Sequence, residues 1–361
     1  MDLRLDETQE AVAATFSDLL ARDCAIDVVR RSETTGFSED LWRGFIELGA
    51  PLMGVPEPAG GLGFGLLELG LVALASGRAL APVPFTEVAT GARLLCELEV
   101  DASVLTAVAN GEVTISFCLD RPHAVPGTSR VRGGRRLVPF GAIANLVLAT
   151  HGSQVLGFSR DSCSVAARAE DLASGAHAFW VLDPAGAAVR VLGTGDAAIR
   201  QYRTAESEWK LLTAFWLVGI ARQAVEIGAR YAQERIQFGR PIGSFQAIAH
   251  PLADCATRVD GAELLAMEAA WASVEEPQRF ALLSAMAFAW ASQTALRATG
   301  VSLHTHGGYG FSTEYDIQLY YRRACGLSML AGGAREQLQS VGERCMQALG
   351  DASIAESGRG L

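Results

Sequence analysis

The chain has 361 residues, half of them hydrophobic, with a mean hydropathy of +0.21 and a formal charge of −10. It is long enough for two or three packed units and too apolar to remain disordered. The acidic balance argues against a nucleic-acid partner, because phosphate binding needs a basic face. Cysteines 24, 96, 118, 163, 255, 325 and 345 are odd in number, and none forms a CxxC pair. They read as reduced thiols, with no disulfide framework and no metal site. The acidic, amphipathic start and an apolar run of only 211–221 predict a cytoplasmic protein with neither secretory signal nor membrane span.

Residues 1–110 carry helical patterning. "DETQEAVAATFSDLLAR" puts Val12, Phe16, Leu19 and Leu20 on one face. "SEDLWRGFIELGA" opens with a serine cap and ends at glycine. "VPEPAGGLGFG" (55–65) is a glycine-rich loop; with no strand before it and no acid at ribose-binding distance, it is not a dinucleotide fingerprint. Residues 111–203 contain short runs ("VTISFCL", "RRLVPF", "NLVLAT", "SQVLGFS", "AFWVLD", "AAVRVLG") with the rhythm of an antiparallel sheet or barrel. Residues 204–350 return to helix, with long apolar patterns at 207–234, 246–273, 279–302 and 327–349, and 351–361 read as a flexible tail. The order is α+β, not alternating βαβ.

"RIQFGRPIGSFQ" (235–246) interrupts the helices with a fixed cation, flat rings and two amides. Arg235 can fork onto a pyrophosphate oxygen. Phe238 and Phe245 offer faces to a ribose or a base, and Gln246 offers a polar edge. Gly307–Gly308 allow close approach of a backbone to phosphate. On the dodecamer alone, an equally good reading makes Arg235 a helix cap and Phe238 a core residue.

Three stretches together resemble the acyl-CoA dehydrogenase family: "GVPEPAGGLGFGLLELGLVALASGRALAPVPF" (54–85), "YAQERIQFGRPIGSFQAIAHPLADC" (231–255) and "HTHGGYGFSTEYDIQLYYRRA" (304–324). The resemblance spans nearly the whole chain. It implies an N-terminal helical domain, a middle β domain and a C-terminal four-helix bundle, usually in a tetramer. It also implies that Arg235, Gln237, Phe238, Ile242, Phe245, Gln246, His304 and Gly308 receive the adenosine half of FAD bound to a neighbouring subunit. His304 stands where the family usually has glutamine.

The reaction that the resemblance implies is α,β-dehydrogenation of an acyl-CoA: a carboxylate takes the α-proton and hydride leaves for the flavin. The usual position of that carboxylate is Ala331 here, and the alternative position at the start of the first C-terminal helix is Trp209. Glu208 is the neighbouring candidate, but one residue of slip turns a helical side chain by about 100°. The ring cradle departs too. "SFCLDRPHAVPGTSR" stands for the family's Thr-Glu-Pro and Gly-Ser-Asp, and Leu137, Val138 and Pro139 stand for Trp-Ile-Thr. This pattern suggests a base-deficient partner in an α2β2 complex acting on a bulky acyl-CoA such as a steroid side chain, with FAD shared and electron-transfer flavoprotein as acceptor. The competitors are a self-sufficient homotetramer using Glu208 and a flavin-free scaffold or acyl-CoA binder. Arg322 and Arg323 read as structural pairs, and "LLTAFWLVGIA" as either core or acyl-pocket lining.

Overall fold

The computed structural model describes residues 4–119, 135–186 and 189–357. Six helices come first: α1 (Glu7–Asp23), α2 (Ile26–Arg31), α3 (Glu39–Glu47), α4 (Leu66–Ala79), α5 (Phe85–Glu97) and α6 (Ala102–Ala109). The predicted face of α1 is the buried one, and Asp6 and Gln9 close a capping box at its start. Ser38 caps α3 by accepting the Leu41 N–H at 3.4 Å. Within "LLELGLVALASGRALAPVPF" α4 ends at Ala79, and Pro84 caps the start of α5.

Among the described residues seven strands follow: β1 (Ile115–Phe117), β2 (Arg135–Val138), β3 (Leu146–His151), β4 (Gln154–Ser159), β5 (Ser164–Arg168), β6 (Ala178–Val181) and β7 (Val189–Thr194). They form two sheets, ordered β1-β3-β4-β7 and β2-β6-β5. Val138, Val147, Leu156, Phe158 and Trp180 from both sheets share a core. Two expectations need correcting. The first sheet is mixed, since β1 pairs β3 in parallel. The strand β5 has no alternating apolar signal and was not expected.

The C-terminal bundle comprises α7 (Gly195–Glu234), α8 (Gln246–Glu275), α9 (Pro277–Thr305), α10 (Ile317–Met329) and α11 (Ala334–Ser357), with a two-stranded hairpin, β8 (Ile236–Gln237) and β9 (Arg240–Pro241), between α7 and α8. Helix α7 begins at Gly195, well before the expected start, directly after β7. The pattern at 327–349 is two helices, not one, broken around Gly332, whose φ is +98°. Residues 351–357 continue α11 and are not the expected tail.

Helix α7 lies against α4 at backbone distance. A Cβ on Gly77 would sit 2.0 Å from the Trp216 carbonyl oxygen, and one on Gly219 would sit 2.1 Å from that of Leu74. Only hydrogen fits at either point. Gly77→Ala should therefore force the helices apart and cost roughly 1–3 kcal/mol. Gly342→Ala, in α11 with open space around it, should be neutral or stabilising by up to about 1 kcal/mol. Thermal unfolding of both variants checks this; equal midpoints would contradict the close contact.

Candidate cofactor and substrate sites

The C-terminal end of α7 and its middle lead to two different surfaces. Its C-terminal end runs into the hairpin, whose turn residues Phe238 and Gly239 have φ of +53° and +77°. Positive φ at both central positions is the type I′ arrangement that suits a tight hairpin. For a phenylalanine it costs about 1–2 kcal/mol, and the ring is nevertheless 92% exposed. The reading in which Phe238 packs into the core is therefore wrong. Phe245 meets it edge-on at 6.0 Å, and the Arg240 guanidinium lies 4.2 Å over the Phe245 ring.

Arg235, Gln237 and Gln246 are exposed beside these rings, and Ile242 is half-buried. At the base of the hairpin Tyr231 stacks on His306 at 4.1 Å, and Tyr315 and Tyr309 extend the cluster to the Gly307–Gly308 turn. His304 lines a crevice of about 460 Å³ with Ile248, Pro251 and Arg297. All eight predicted nucleotide-side residues thus gather at one end of the bundle, exposed or half-buried. Arg240 and Arg297 are cations at this end that the sequence did not single out. The hairpin end suits a flat, anionic, partly apolar ligand such as the adenosine-diphosphate half of FAD.

The middle of α7 forms one wall of a chamber where the three domains meet. Thr86 and Glu87 from α5, Phe140 after β2, His177 before β6, Trp216 from α7 and Arg323 from α10 line about 40 Å³. One water needs about 10–15 Å³ by the same measure, so the chamber takes two or three waters and no tricyclic ring. Leu137 and Val138 form part of β2, Pro139 is buried, and its carbonyl accepts the Ser116 hydroxyl. The next residue, Phe140, turns into the chamber with φ of +48° and donates its N–H to His177 Nδ1 at 3.2 Å. Among the described residues the ring half of the flavin does not fit. Most of "SFCLDRPHAVPGTSR" lies outside them.

Neither family position for the base supplies a carboxylate. Ala331 is buried between α10 and α11. Trp209 is fully buried and donates its indole N–H to Glu87 Oε1 at 3.0 Å. Glu208 faces the other way, into an outer cleft of about 630 Å³. Arg93 holds both of its oxygens, at 2.9 and 2.8 Å, and reaches the Gly54 carbonyl at 2.6 Å. The carboxyl group that does face the chamber is Glu87, a lone acid in the apolar run "APVPFTEVAT". Arg322 is the structural clamp expected, bound to Gln318, Ser174 and Glu33. Arg323 is not, since it lines the chamber. Most of "LLTAFWLVGIA" is core; only Thr213 and Trp216 reach the chamber wall.

Burial pushes the Glu87 carboxyl up to about 7, against the Trp209 hydrogen bond, which favours the ionised form. The unfolded chain loses this proton near the ordinary 4.5, so the native state holds it across the window from 4.5 to about 7. Stability must fall as pH rises through that window and stay level above it. Glu87→Gln should remove the slope, matching wild type near pH 4 and exceeding it at pH 8 by on the order of 3 kcal/mol. Denaturant midpoints against pH give the result; parallel profiles would contradict it.

Comparison with known proteins agrees with this geometry. The family models for the acyl-CoA dehydrogenase N-terminal and C-terminal domains match residues 6–111 and 208–346. Acyl-CoA dehydrogenase FadE27 of Mycobacterium tuberculosis is 32% identical, covering 85% of this chain and 88% of its own. Acyl-CoA dehydrogenase IpdE2 of the same organism is 28% identical over 93% and 96%. Among solved structures, the Tcur3481–Tcur3483 steroid ACAD G363A variant superposes with a TM-score of 0.85 at 26% identity, covering 95% of this chain and 99% of that one. A chain of the ChsE4–ChsE5 complex from Mycobacterium tuberculosis gives 0.83 at 27%, covering 96% and 99%. With both end domains matched and relatives aligned along nearly its full length, the chain belongs to the acyl-CoA dehydrogenase family, oxidoreductases acting on CH–CH bonds.

Proposed function

We propose that this chain is the base-deficient subunit of a two-component acyl-CoA dehydrogenase, an α2β2 complex in which it lends the nucleotide pocket to an FAD whose ring lies in its partner. The observation that carries the reading is the contrast between the C-terminal end of α7 and its middle. The hairpin at that end offers an exposed, strained Phe238 beside Arg235 and Gln246, an aromatic–cationic surface made to be covered. The chamber beside the middle of the helix holds only about 40 Å³ behind Phe140 and His177. Two of the similar structures are of two-named assemblies, one described as a steroid ACAD. This supports a bulky, steroid-type acyl-CoA as substrate; the proposal is completed by electron-transfer flavoprotein as acceptor and a cytoplasmic location.

The self-sufficient homotetramer would need Glu208 as base. That carboxylate is clamped by Arg93 and lines the outer cleft, not the chamber with Trp216. Removing one partner from so buried a pair costs about 3–5 kcal/mol, so Glu208 belongs to the scaffold.

Purified alone, the chain should be colourless. Co-purified with a catalytic acyl-CoA dehydrogenase subunit, it should carry one FAD per heterodimer. In that complex Arg235→Gln or Phe238→Ala should weaken FAD retention by at least about tenfold, or ~1.4 kcal/mol, and Glu208→Gln should leave kcat per folded enzyme unchanged. Absorbance spectra, native mass spectrometry and turnover read all three. Full flavin occupancy and turnover by this chain alone would overturn the reading.

A further inference from the structure

The junction chamber has a feature that neither the family reaction nor the partner role uses. Arg323 Nη2 and Thr86 Oγ1 are both buried without a hydrogen-bond partner, and both residues line the same cavity. Buried polar atoms in folded proteins are nearly always satisfied, so two such donors on residues that line one cavity point to something that accepts from them. His177 adds a third donor. Its Nδ1 accepts the Phe140 N–H, which leaves the ring proton on Nε2, packed against Gly175 on the chamber wall. Burial holds the imidazole down to about 4, so it is neutral and keeps that single N–H.

The charge around these donors is also unbalanced. Arg168, Arg322 and Arg323 stand against Asp171 and Glu33, three guanidinium groups to two carboxylates, and Glu33 is engaged by Arg322. Across the chamber Glu87 is neutral below about pH 7 because of its burial, so it does not cancel the excess. Water would satisfy the hydroxyl and leave the charge unmatched. We propose that the chamber binds one small monovalent anion, of halide or formate size, held by the Arg323 guanidinium, the Thr86 hydroxyl and the His177 N–H. The volume of about 40 Å³ sets the size limit. The proposal does not depend on the partner-subunit reading, because every donor comes from this chain.

The test uses bromide as the probe, in buffer below pH 7, on the protein as purified, with its partner chain where one co-purifies. Anomalous diffraction from bromide-soaked crystals should place one bromide in the chamber, within hydrogen-bond distance of Arg323 and Thr86. In solution, Trp216 on the chamber wall should report a saturable component of fluorescence quenching by bromide. Arg323→Met should weaken that component by at least about tenfold. If Arg323→Met does not fold, Thr86→Val serves in its place, and the wild-type diffraction result stands without any variant. A chamber holding only water in the soaked crystals, or saturable quenching unchanged in the variant, would overturn the proposal.

Discussion

Two glycines let α7 pass α4 at backbone distance, and the positions of both candidate sites follow from that crossing. With Gly77 and Gly219 pressed onto facing carbonyl groups, the register and rotation of a 40-residue helix are set. Its wall residues Thr213 and Trp216 then face the three-domain junction, Glu208 turns outward to Arg93, and its last turn delivers the chain into the exposed hairpin. Side-chain packing alone would leave the helix freer to slide or rotate, because ridges and grooves tolerate a spread of angles.

Burial divides the polar groups along this helix into two kinds. Near the junction they are buried and fixed: Trp209 holds Glu87, and across the chamber from the helix Phe140 holds His177. In such surroundings each interaction gains strength from the low dielectric, and each unmet donor becomes costly. At the hairpin the groups are exposed and loosely held, with a phenylalanine kept in a left-handed conformation that the isolated loop would avoid. Strain and exposure at one residue are understandable if its contacts are completed by a ligand or another chain.

Much of the architecture was legible in the sequence because periodicity reports burial directly. The apolar face of α1, the cap of α3 and six of the seven strands carry such patterns. The glycine break at Gly332 and the early start of α7 were missed, since tertiary packing and not a local signal sets those boundaries. The residues read as nucleotide-side fall in contiguous motifs, and the fold brings these motifs to one end of the bundle. The chamber was not legible, because Glu87, His177 and Arg323 come from three domains and meet only in the fold. Their one local trace is a charged residue within an apolar run, which sequence alone cannot distinguish from a surface helix position. Glu208 lies one residue from a family position, and a single residue on a helix sends a side chain to another face, here toward Arg93.

The most direct measurement is a structure of this chain together with its catalytic partner and FAD. The account predicts the adenine against Phe238 and Phe245, near Arg235, with the isoalloxazine in the partner's middle domain and the Phe140–His177 chamber closed. An isoalloxazine lying in the chamber of this chain, with Phe140 swung aside, would contradict it.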